Sequence, residues 1–431
     1  MLYKAYRKGP KMEQEINVKT KRAFKMLTAG VFALEYIYGL SVTVWGVLIA
    51  SLMTYYTKTY TDVGFATSFN GLGSILGVLL LMTFLDRFKK PKFLIAASIL
   101  FLFCVAGQGI APPFVVLPFV YFLKGVAAIS LDTVNSSVIV DMYGQRAKVY
   151  VNILHGFYGA GSITGPIFAT LIMTNGYQWN HTYILISAII ILVITYYVTV
   201  MVKYRPEINK ISAPMKKADT GQKLTVKEFL QRKEVYLSIF TIFLCLGSMN
   251  MTTSWTQKFM VEILGATVYL GTIAVTCFYI GLTLSRFLTP LLYKKYQPLS
   301  VLMFMLIVAI ISLSIAHFSG NMYLIPFGTF MAGAGIGLGT PIIVSNICSL
   351  FPGQSGRASS FAMLGMGLAT FVFSYLGAYV NTTFGIQAGV RMPIILLSLA
   401  LPCIYLLIRS NKKRAKADLD CQANTVAAQA D

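Results

Sequence analysis

The chain has 431 residues, of which 56% are hydrophobic and only 12% are charged. That charged fraction is about half of what soluble proteins usually carry. The formal net charge is +21, but the basic residues are gathered in a few segments. These features exclude a string of ordinary soluble domains and favour a protein embedded in a lipid bilayer.

Apolar runs of roughly 20 residues, each long enough to cross a bilayer as a helix, follow one another along the chain. Backbone groups in hydrocarbon must be hydrogen-bonded within their own segment, so we predict that each run is a helix. The short alternating segments typical of a membrane barrel are not seen. The twelve predicted spans lie near 26–55, 64–84, 93–111, 114–140, 148–174, 182–202, 236–257, 266–291, 299–318, 322–350, 357–383 and 392–409.

One long polar connection divides these spans six and six. It is basic and contains Pro206 and Pro214. Two halves with a site at their interface are typical of secondary transporters. The fold class that we predict is an all-α membrane protein with twelve transmembrane helices in two six-helix halves. The segments are a cytoplasmic N-terminal segment (1–25), the first half (26–202), a cytoplasmic linker (203–233), the second half (234–409) and a cytoplasmic tail (410–431).

The basic residues cluster before the first span, in the turn at 87–92, in the linker and at 409–416. All four segments fall on one side of the membrane if the spans alternate, which is the positive-inside pattern. We therefore predict a multi-pass plasma-membrane protein, with a bacterial inner membrane assumed, and with both termini in the cytoplasm. This distribution of charge argues against nucleic acid as a partner.

A few ionisable side chains lie inside the spans, where each costs at least roughly 2.5–3.5 kcal/mol at a helix centre. Asp132 is the deepest, and burial disfavours a charged carboxylate, so it is our first candidate for proton coupling. The alternative is a structural ion pair between Asp132 and Lys124, two turns away, or an arginine on another helix. Glu35 and His155 are further proton-coupling candidates, with an ion pair and simple packing as their respective alternatives.

Neutral polar residues within the spans are candidates for binding the hydroxyl groups of a solute. Asn135, Asn250 and Asn346 each offer donors and an acceptor. Trp255 is either a platform for a sugar ring or an anchor at the membrane interface. Arg286 is either part of a gating ion pair or a side chain that reaches the cytoplasmic surface.

Enzyme motifs are absent from the sequence: there is no nucleotide-binding P-loop, GxSxG or HExxH. Glycine-rich runs at 159–166 and 333–341 lack the strand and acidic residue of a dinucleotide fingerprint, so we predict that they pack closely against other helices. The six cysteines show no metal-ligand spacing. We expect no enzymatic activity, no metal and no cofactor; the coupling ion is H⁺, with Na⁺ as the alternative.

Five short motifs stand out along the chain: LDTVN (131–135), LHGFYGAGSITGP (154–166), Gly247 with Trp255, FYIGLTLSRF (278–287) and LFPGQSGRASS (350–360). Together they resemble the major facilitator superfamily, and in particular its fucose permease and sodium-dependent glucose transporter-like branch. The resemblance implies a substrate cavity between the halves and places Arg286 at the arginine position of the eighth span in that branch.

The sequence departs from this family pattern in two places that concern the site. Of the cytoplasmic motif after the second span, only Asp86 and Arg87 with two lysines are retained, and we assign both to gating together with Arg286. Where the fucose permease has an acidic residue in its first span, this chain has Trp45 and Gly46. We include Trp45 among the substrate-binding candidates.

These observations predict a monomeric secondary active transporter of a small polar solute, a sugar or related metabolite, by proton-coupled symport and alternating access. The first alternative is an exporter of drugs or amphipathic metabolites by proton antiport, which the 13% aromatic content would suit. The second is a membrane sensor or scaffold. That class expects a sizeable extramembrane domain, whereas the longest cytoplasmic segments here have only about 30 residues.

Overall fold

The computed structural model of the chain describes residues 18–84, 89–211, 231–292, 295–350 and 355–430. In this part of the chain the regular structure is helical and no strand is present. The α-helices are, in chain order, α1 Val18–Thr43, α2 Trp45–Tyr56, α3 Tyr60–Phe84, α4 Lys90–Gly109, α5 Leu117–Tyr143, α6 Ala147–Thr174, α7 Trp179–Lys203, α8 Arg205–Ile211, α9 Lys233–Glu262, α10 Val268–Leu292, α11 Pro298–Phe318, α12 Ile325–Gly337, α13 Gly339–Leu350, α14 Ser355–Phe384 and α15 Ile386–Ala430.

Twelve stretches of the described chain are helical, long and apolar enough to cross a membrane, which confirms the predicted number. Most of them are single helices, and the tenth combines α12 with α13. The short connection after the sixth span includes α8. The membrane-crossing stretch of the last span is Ile386–Lys413, and its helix, α15, continues beyond it to Ala430.

The prediction that every apolar run is one helix is wrong for the first and the tenth run. The first run divides at Val44 into α1 and α2, and the tenth divides at Leu338 into α12 and α13. Pro341 explains the second break, because it has no N–H to donate to the carbonyl of Gly337 four residues earlier. At the first break the Thr43 hydroxyl donates to the Gly39 carbonyl oxygen at 3.0 Å, which turns a side chain onto the helix backbone.

The two glycine-rich runs pack closely against neighbouring helices, as their small residues predict. A Cβ atom on Gly161 of α6 would lie 1.9 Å from the Tyr36 carbonyl oxygen of α1. A Cβ atom on Gly333 of α12 would lie 1.9 Å from the Phe278 carbonyl oxygen of α10. Only glycine allows backbones to approach this closely.

Helices of the first six spans meet helices of the last six along three main pairings: α3 with α14, α6 with α10, and α2 with α9. The α3–α14 pair is the tightest, since a Cβ atom on Gly71 would lie 2.1 Å from the backbone nitrogen of Phe371. On α6, a Cβ atom on Gly159 would lie 2.3 Å from the Thr283 hydroxyl of α10. The interface between the halves is thus closely packed at several levels.

Side-chain hydrogen bonds join the halves at the end of the molecule where α2 meets α3. The charge pattern predicts that this end faces outward, and we refer to it as the outer end. The Tyr60 hydroxyl donates to Glu262 at 3.1 Å, and the Thr61 hydroxyl donates to the Thr382 hydroxyl at 2.8 Å. A further bond of 3.0 Å joins Thr174 of α6 to the Tyr269 hydroxyl of α10. The outer end is therefore closed.

Candidate functional site

A buried carboxylate on α1 forms the centre of the candidate site. The Glu35 side chain is 0% exposed, and its Oε2 accepts a hydrogen bond of 2.8 Å from Asn135 Nδ2 on α5. Its other oxygen, Oε1, lies 4.0 Å from His155 Nδ1 on α6 and has no hydrogen-bond donor among the described residues. Two other helices of the first half, α5 and α6, therefore supply side chains to this one carboxylate of α1.

Asp132 joins the same group of side chains. One ligand atom each of Glu35, Asp132 and His155 lie within 4.8 Å of one another. Asp132 and Asn135 are three residues apart on α5, so they share a helix face. The structure thus brings together all three side chains that the sequence suggests for proton coupling, and adds Asn135, which the sequence suggests for substrate. We call Glu35, Asp132, Asn135 and His155 the acidic cluster.

Charge is not balanced within the acidic cluster alone. Two carboxylates this close repel each other strongly in a medium of low dielectric constant, and a shared proton or a bound cation relieves the repulsion. The same atoms are close enough together to hold a Na⁺ ion instead. The His155 side chain is 36% exposed, so it links the buried Glu35 to more open space.

Arg286 supplies the opposite charge from the other half of the molecule. Its guanidinium, on α10, is close enough to interact electrostatically with Asp132 and Glu35. Its Nε also donates a hydrogen bond of 3.3 Å to the carbonyl oxygen of Gly337, at the break between α12 and α13. Arg286 therefore lies at the contact between the halves and does not extend freely to the cytoplasmic surface.

Two tyrosines beside the acidic cluster are not among the sequence candidates. Tyr38 of α1 and Tyr158 of α6 have ring centroids 5.3 Å apart and lie within electrostatic reach of Asp132 and Glu35. Tyr38 follows Glu35 by three residues, and Tyr158 follows His155 by three. A spacing of three places Tyr38 on the same helix face as Glu35, and Tyr158 on the same helix face as His155. This spacing is the signal in the sequence that could have identified the two tyrosines.

Of the two structural partners considered for Asp132, Lys124 is not the one that the structure shows, whereas an arginine on another helix, Arg286 of α10, lies within electrostatic reach of Asp132. Lys124 Nζ instead donates a hydrogen bond of 3.0 Å to Gln108 Oε1 on α4 and lies 5.3 Å from the centre of the Tyr183 ring on α7. The partner of Lys124 is on another helix, so Asp132 remains available to the acidic cluster.

A small cavity lies between the halves on the outer side of the molecule. Its volume is about 10 Å³, enough for one water molecule. Helices α2 and α3 line one side, and α9 and α14 line the other. Three of the predicted substrate-binding residues are in its wall. The lining residues are Trp45, Ile49, Gly64, Thr67, Asn250, Ser254, Trp255 and Ser374. We call this space the central cavity.

The remaining candidates lie elsewhere. Asn346, on α13, accepts a hydrogen bond of 2.6 Å at its Oδ1 from Asn411 on α15, while its Nδ2 has no partner among the described residues, and it does not line the central cavity. Its role in binding substrate stays a prediction. Asp86 and Arg87, predicted to take part in gating, lie outside the residues that the structure describes.

Aromatic rings flank the central cavity towards the outer end. The Tyr60 ring meets the Trp255 ring edge-on at 5.3 Å, and Lys258 Nζ lies 5.2 Å from the centre of the Tyr60 ring. Lys258 also forms an ion pair with Glu262, which accepts the hydrogen bond from Tyr60. These four side chains form one linked group beside the cavity, in which Tyr60 belongs to the first half and the other three to the second.

A family model described as "Major Facilitator Superfamily" matches residues 31–298 and 237–420 of this chain. The chain is 19% identical over 358 residues to the inner membrane transport protein YdiN of Escherichia coli strain K12, which covers 82% of both proteins. It is 25% identical over 250 residues to the hexuronate transporter of Bacillus subtilis strain 168, which covers 56% of both.

Solved structures share the fold over most of the chain. The crystal structure of the E. coli fucose:proton symporter FucP matches with a TM-score of 0.59 and 14% identity, covering 89% of this chain and 99% of that one. The nucleoside transporter NupG matches with a TM-score of 0.69 and 11% identity, with the same coverage. At these identities the likeness concerns the fold alone.

Proposed function

Because this chain belongs to the major facilitator superfamily, we propose that it is a secondary active transporter that carries a sugar or a related small polar metabolite together with a proton. One observation carries the proposal: Glu35, Asp132 and His155 converge in the first half, opposite the charge of Arg286 in the second. The name of one similar protein, a hexuronate transporter, supports a sugar-like solute.

Coupling follows from the charge of the acidic cluster. When both carboxylates are ionised, they attract Arg286 and hold α10 close to the first half, where α10 packs against α6. A proton taken up by the pair removes one negative charge, which weakens this attraction and allows the halves to move relative to each other. His155 provides the route by which the proton reaches Glu35, because the His155 side chain is partly exposed and the Glu35 side chain is not.

The solute binds in the central cavity. Asn250 offers amide donors and an acceptor to hydroxyl groups, and the faces of Trp45 and Trp255 suit the apolar face of a sugar ring. Drug-sized ligands occupy pockets of roughly 300–1,000 Å³, so the cavity must widen. Separation of α2 and α3 from α9 and α14 widens it and breaks the bonds at the outer end, which is the expected rocking motion.

The test is uptake of a panel of labelled monosaccharides into cells that express the protein, under an imposed inward pH gradient. We expect accumulation of one sugar above equilibrium by the native chain, and equilibration alone by Asp132→Asn. Asp141→Asn is the matched control, because Asp141 pairs with Lys90 outside the acidic cluster. Equal accumulation by Asp132→Asn and the native chain would contradict the coupling role.

Two further outcomes refine or replace the proposal. Accumulation that follows an imposed Na⁺ gradient and ignores the pH gradient would replace the proton with Na⁺. Failure to take up any sugar, together with efflux of dyes from expressing cells, would favour the exporter. The exporter has its own support in the aromatic wall of the central cavity, formed by Trp45, Trp255 and Tyr60.

A further inference from the structure

Outside the acidic cluster, another ionisable side chain is buried in the first half, and the proposed coupling mechanism does not use it. Lys124 of α5 is only 5% exposed, and no carboxylate of the described residues lies within 4.0 Å of its ammonium. The groups near this ammonium are the Gln108 side-chain oxygen at 3.0 Å, the Tyr183 ring, whose centre is 5.3 Å away, and the Cys104 thiol on α4, and none of them is a carboxylate. An ammonium without a counter-charge is costly at this depth, so a compensating negative charge is expected.

Unused hydrogen-bond donors lie beside this ammonium. Gln108 is 0% exposed and Tyr121 is 5% exposed. Gln108 Nε2 and the Tyr121 hydroxyl nevertheless have no hydrogen-bond partner among the described residues. Tyr121 precedes Lys124 by three residues, so the two share a face of α5. Gln108 lies near both, since its Oε1 accepts the hydrogen bond from Lys124 and its side chain interacts with the Tyr121 hydroxyl without the geometry of a hydrogen bond. One ammonium and two unpaired donors match the needs of a small anionic group.

These three side chains lie one layer behind the central cavity. The Trp45 ring meets the Tyr121 ring edge-on at 5.8 Å, and Trp45 itself lines the cavity. The Trp45 ring therefore lies between the cavity and Tyr121, which shares a face of α5 with Lys124, so a movement of this ring would bring a solute in the cavity next to Tyr121.

From this arrangement we propose that Lys124, Gln108 and Tyr121 bind the carboxylate of the transported solute, so that the substrate class is sugar acids and not neutral sugars. The inference rests on the proposed function and narrows it. A neutral hydroxyl would leave the ammonium uncompensated, whereas a carboxylate offers two acceptor oxygens to three donors. Asp132 is eight residues further along α5, about 12 Å away at 1.5 Å per residue, so the carboxylate and the proton occupy separate sites.

Charge balance links the two sites. A sugar acid brings one negative charge into the first half, and the proton taken up by the acidic cluster brings one positive charge. The solute and the proton together then add no net charge to the protein. The loaded transporter therefore changes conformation without moving charge through the transmembrane potential.

The experiment measures binding of D-glucuronate and D-glucose, which differ at one carbon by a carboxylate against an alcohol, to the purified full-length protein. Tryptophan fluorescence is the signal, because two of the three tryptophans, Trp45 and Trp255, line the central cavity. We expect glucuronate to bind about tenfold or more tightly than glucose, as a charge-assisted hydrogen bond allows. Lys124→Met removes the difference, and Lys203→Met, at an exposed position at the end of α7, keeps it.

Conservative variants protect the test against misfolding. Lys124→Arg retains the charge and most of the preference, and Tyr121→Phe removes one hydroxyl and weakens glucuronate binding alone. Equal binding of the two sugars by the native chain, or a preference that survives in Lys124→Met, would overturn the proposal. Quenching by sodium chloride that depends on Lys124, without a preference for glucuronate, would also overturn it and identify a free-anion site.

Failure of this inference differs from failure of the proposed function. Proton-driven accumulation of a neutral sugar that added glucuronate does not inhibit overturns the carboxylate site and leaves proton coupling intact. Selective glucuronate binding with uptake that ignores the pH gradient supports the carboxylate site and overturns proton coupling.

Discussion

The guanidinium of Arg286 donates a hydrogen bond to the carbonyl oxygen of Gly337, 3.3 Å away, where α12 ends. In an unbroken helix that carbonyl would accept from the residue four positions later, which here is Pro341 and has no N–H. The proline thus frees an acceptor, and the arginine that faces the acidic cluster occupies it. One side chain thereby connects the break in the tenth span with the carboxylates of the first half.

Replacing Pro341 with alanine restores the missing donor. We expect α12 and α13 to join into one helix, since the new backbone N–H at position 341 competes with Arg286 for the Gly337 carbonyl. One added backbone hydrogen bond contributes about 1 kcal/mol, so the melting temperature rises. Because the bond forms in only one of the two conformations of the transport cycle, the conversion of that conformation into the other slows roughly fivefold. Thermal unfolding and initial uptake rates measure both effects.

Pro326→Ala is the matched control for this change. Pro326 lies in the first turn of α12, where a backbone N–H has no intrahelical partner, so transport should stay at the native rate. A Pro341→Ala protein with native stability and native uptake would show that the break does not depend on the proline.

Removing the amide of Asn135 leaves a buried oxygen of Glu35 without its donor. We expect Asn135→Ala to lose about 1–3 kcal/mol of stability, because an unsatisfied buried acceptor is costly. The loss should shrink at low pH, where a protonated carboxyl no longer needs the donor as strongly. Asn152→Ala, at an exposed position on α6, should have little effect on melting temperature at any pH. Equal losses in the two variants would contradict this assignment.

Weakening the closed outer end should shift the protein towards the outward-open state. Tyr60→Phe removes the bond to Glu262 and retains the ring contact with Trp255. With one hydrogen bond lost, worth about 1 kcal/mol, we expect roughly fivefold faster labelling of a cysteine placed at Ser254 by a membrane-impermeant maleimide. Tyr323→Phe, at an exposed tyrosine before α12, is the control. Labelling that stays as slow as in the native chain would locate closure elsewhere.

Adding a methyl group between α3 and α14 should destabilise their interface. In Gly71→Ala the new Cβ would meet the Phe371 backbone nitrogen at 2.1 Å, and backbone cannot turn aside as a flexible side chain can. Overpacking of this kind costs roughly 1–3 kcal/mol, visible as a lower melting temperature. At Gly107 a Cβ would lie 3.6 Å from Val120, an ordinary contact, so Gly107→Ala should be tolerated. If both variants melt at the native temperature, the two helices have room to separate.

The number of spans is predictable from sequence because hydrocarbon imposes one length and one type of structure on each. The break at Val44 is not, since neither proline nor glycine occurs at that position. Pro341 indicates a kink in the tenth span. The side chain that bonds the freed carbonyl of Gly337, Arg286, lies on another helix, α10, and the sequence around the proline does not point to it. Local rules describe what a residue can do to its own helix and say little about which helix faces it.

The same limit applies to the side chains of the site. Glu35, Asp132 and His155 are each suggested by their charge or titration, yet their meeting at one point depends on how α1, α5 and α6 pack. Spacing along α5 suggests Lys124 as a structural partner for Asp132, whereas the structure pairs it with Gln108 on α4. Asn346 resembles the other polar candidates in sequence but is engaged by Asn411.

The last helix has a mechanical consequence. Its apolar part ends near Lys413, and α15 continues for another 17 residues (414 to 430) as a helix. At 1.5 Å per residue this extension is about 25 Å long, and it is continuous with a span of the second half. Such an arm acts as a lever: a rotation of that half by a few degrees becomes a larger displacement at the tip. A fluorophore attached near Ala430 would therefore report each transport cycle as a change in distance, without any modification of the membrane-embedded helices.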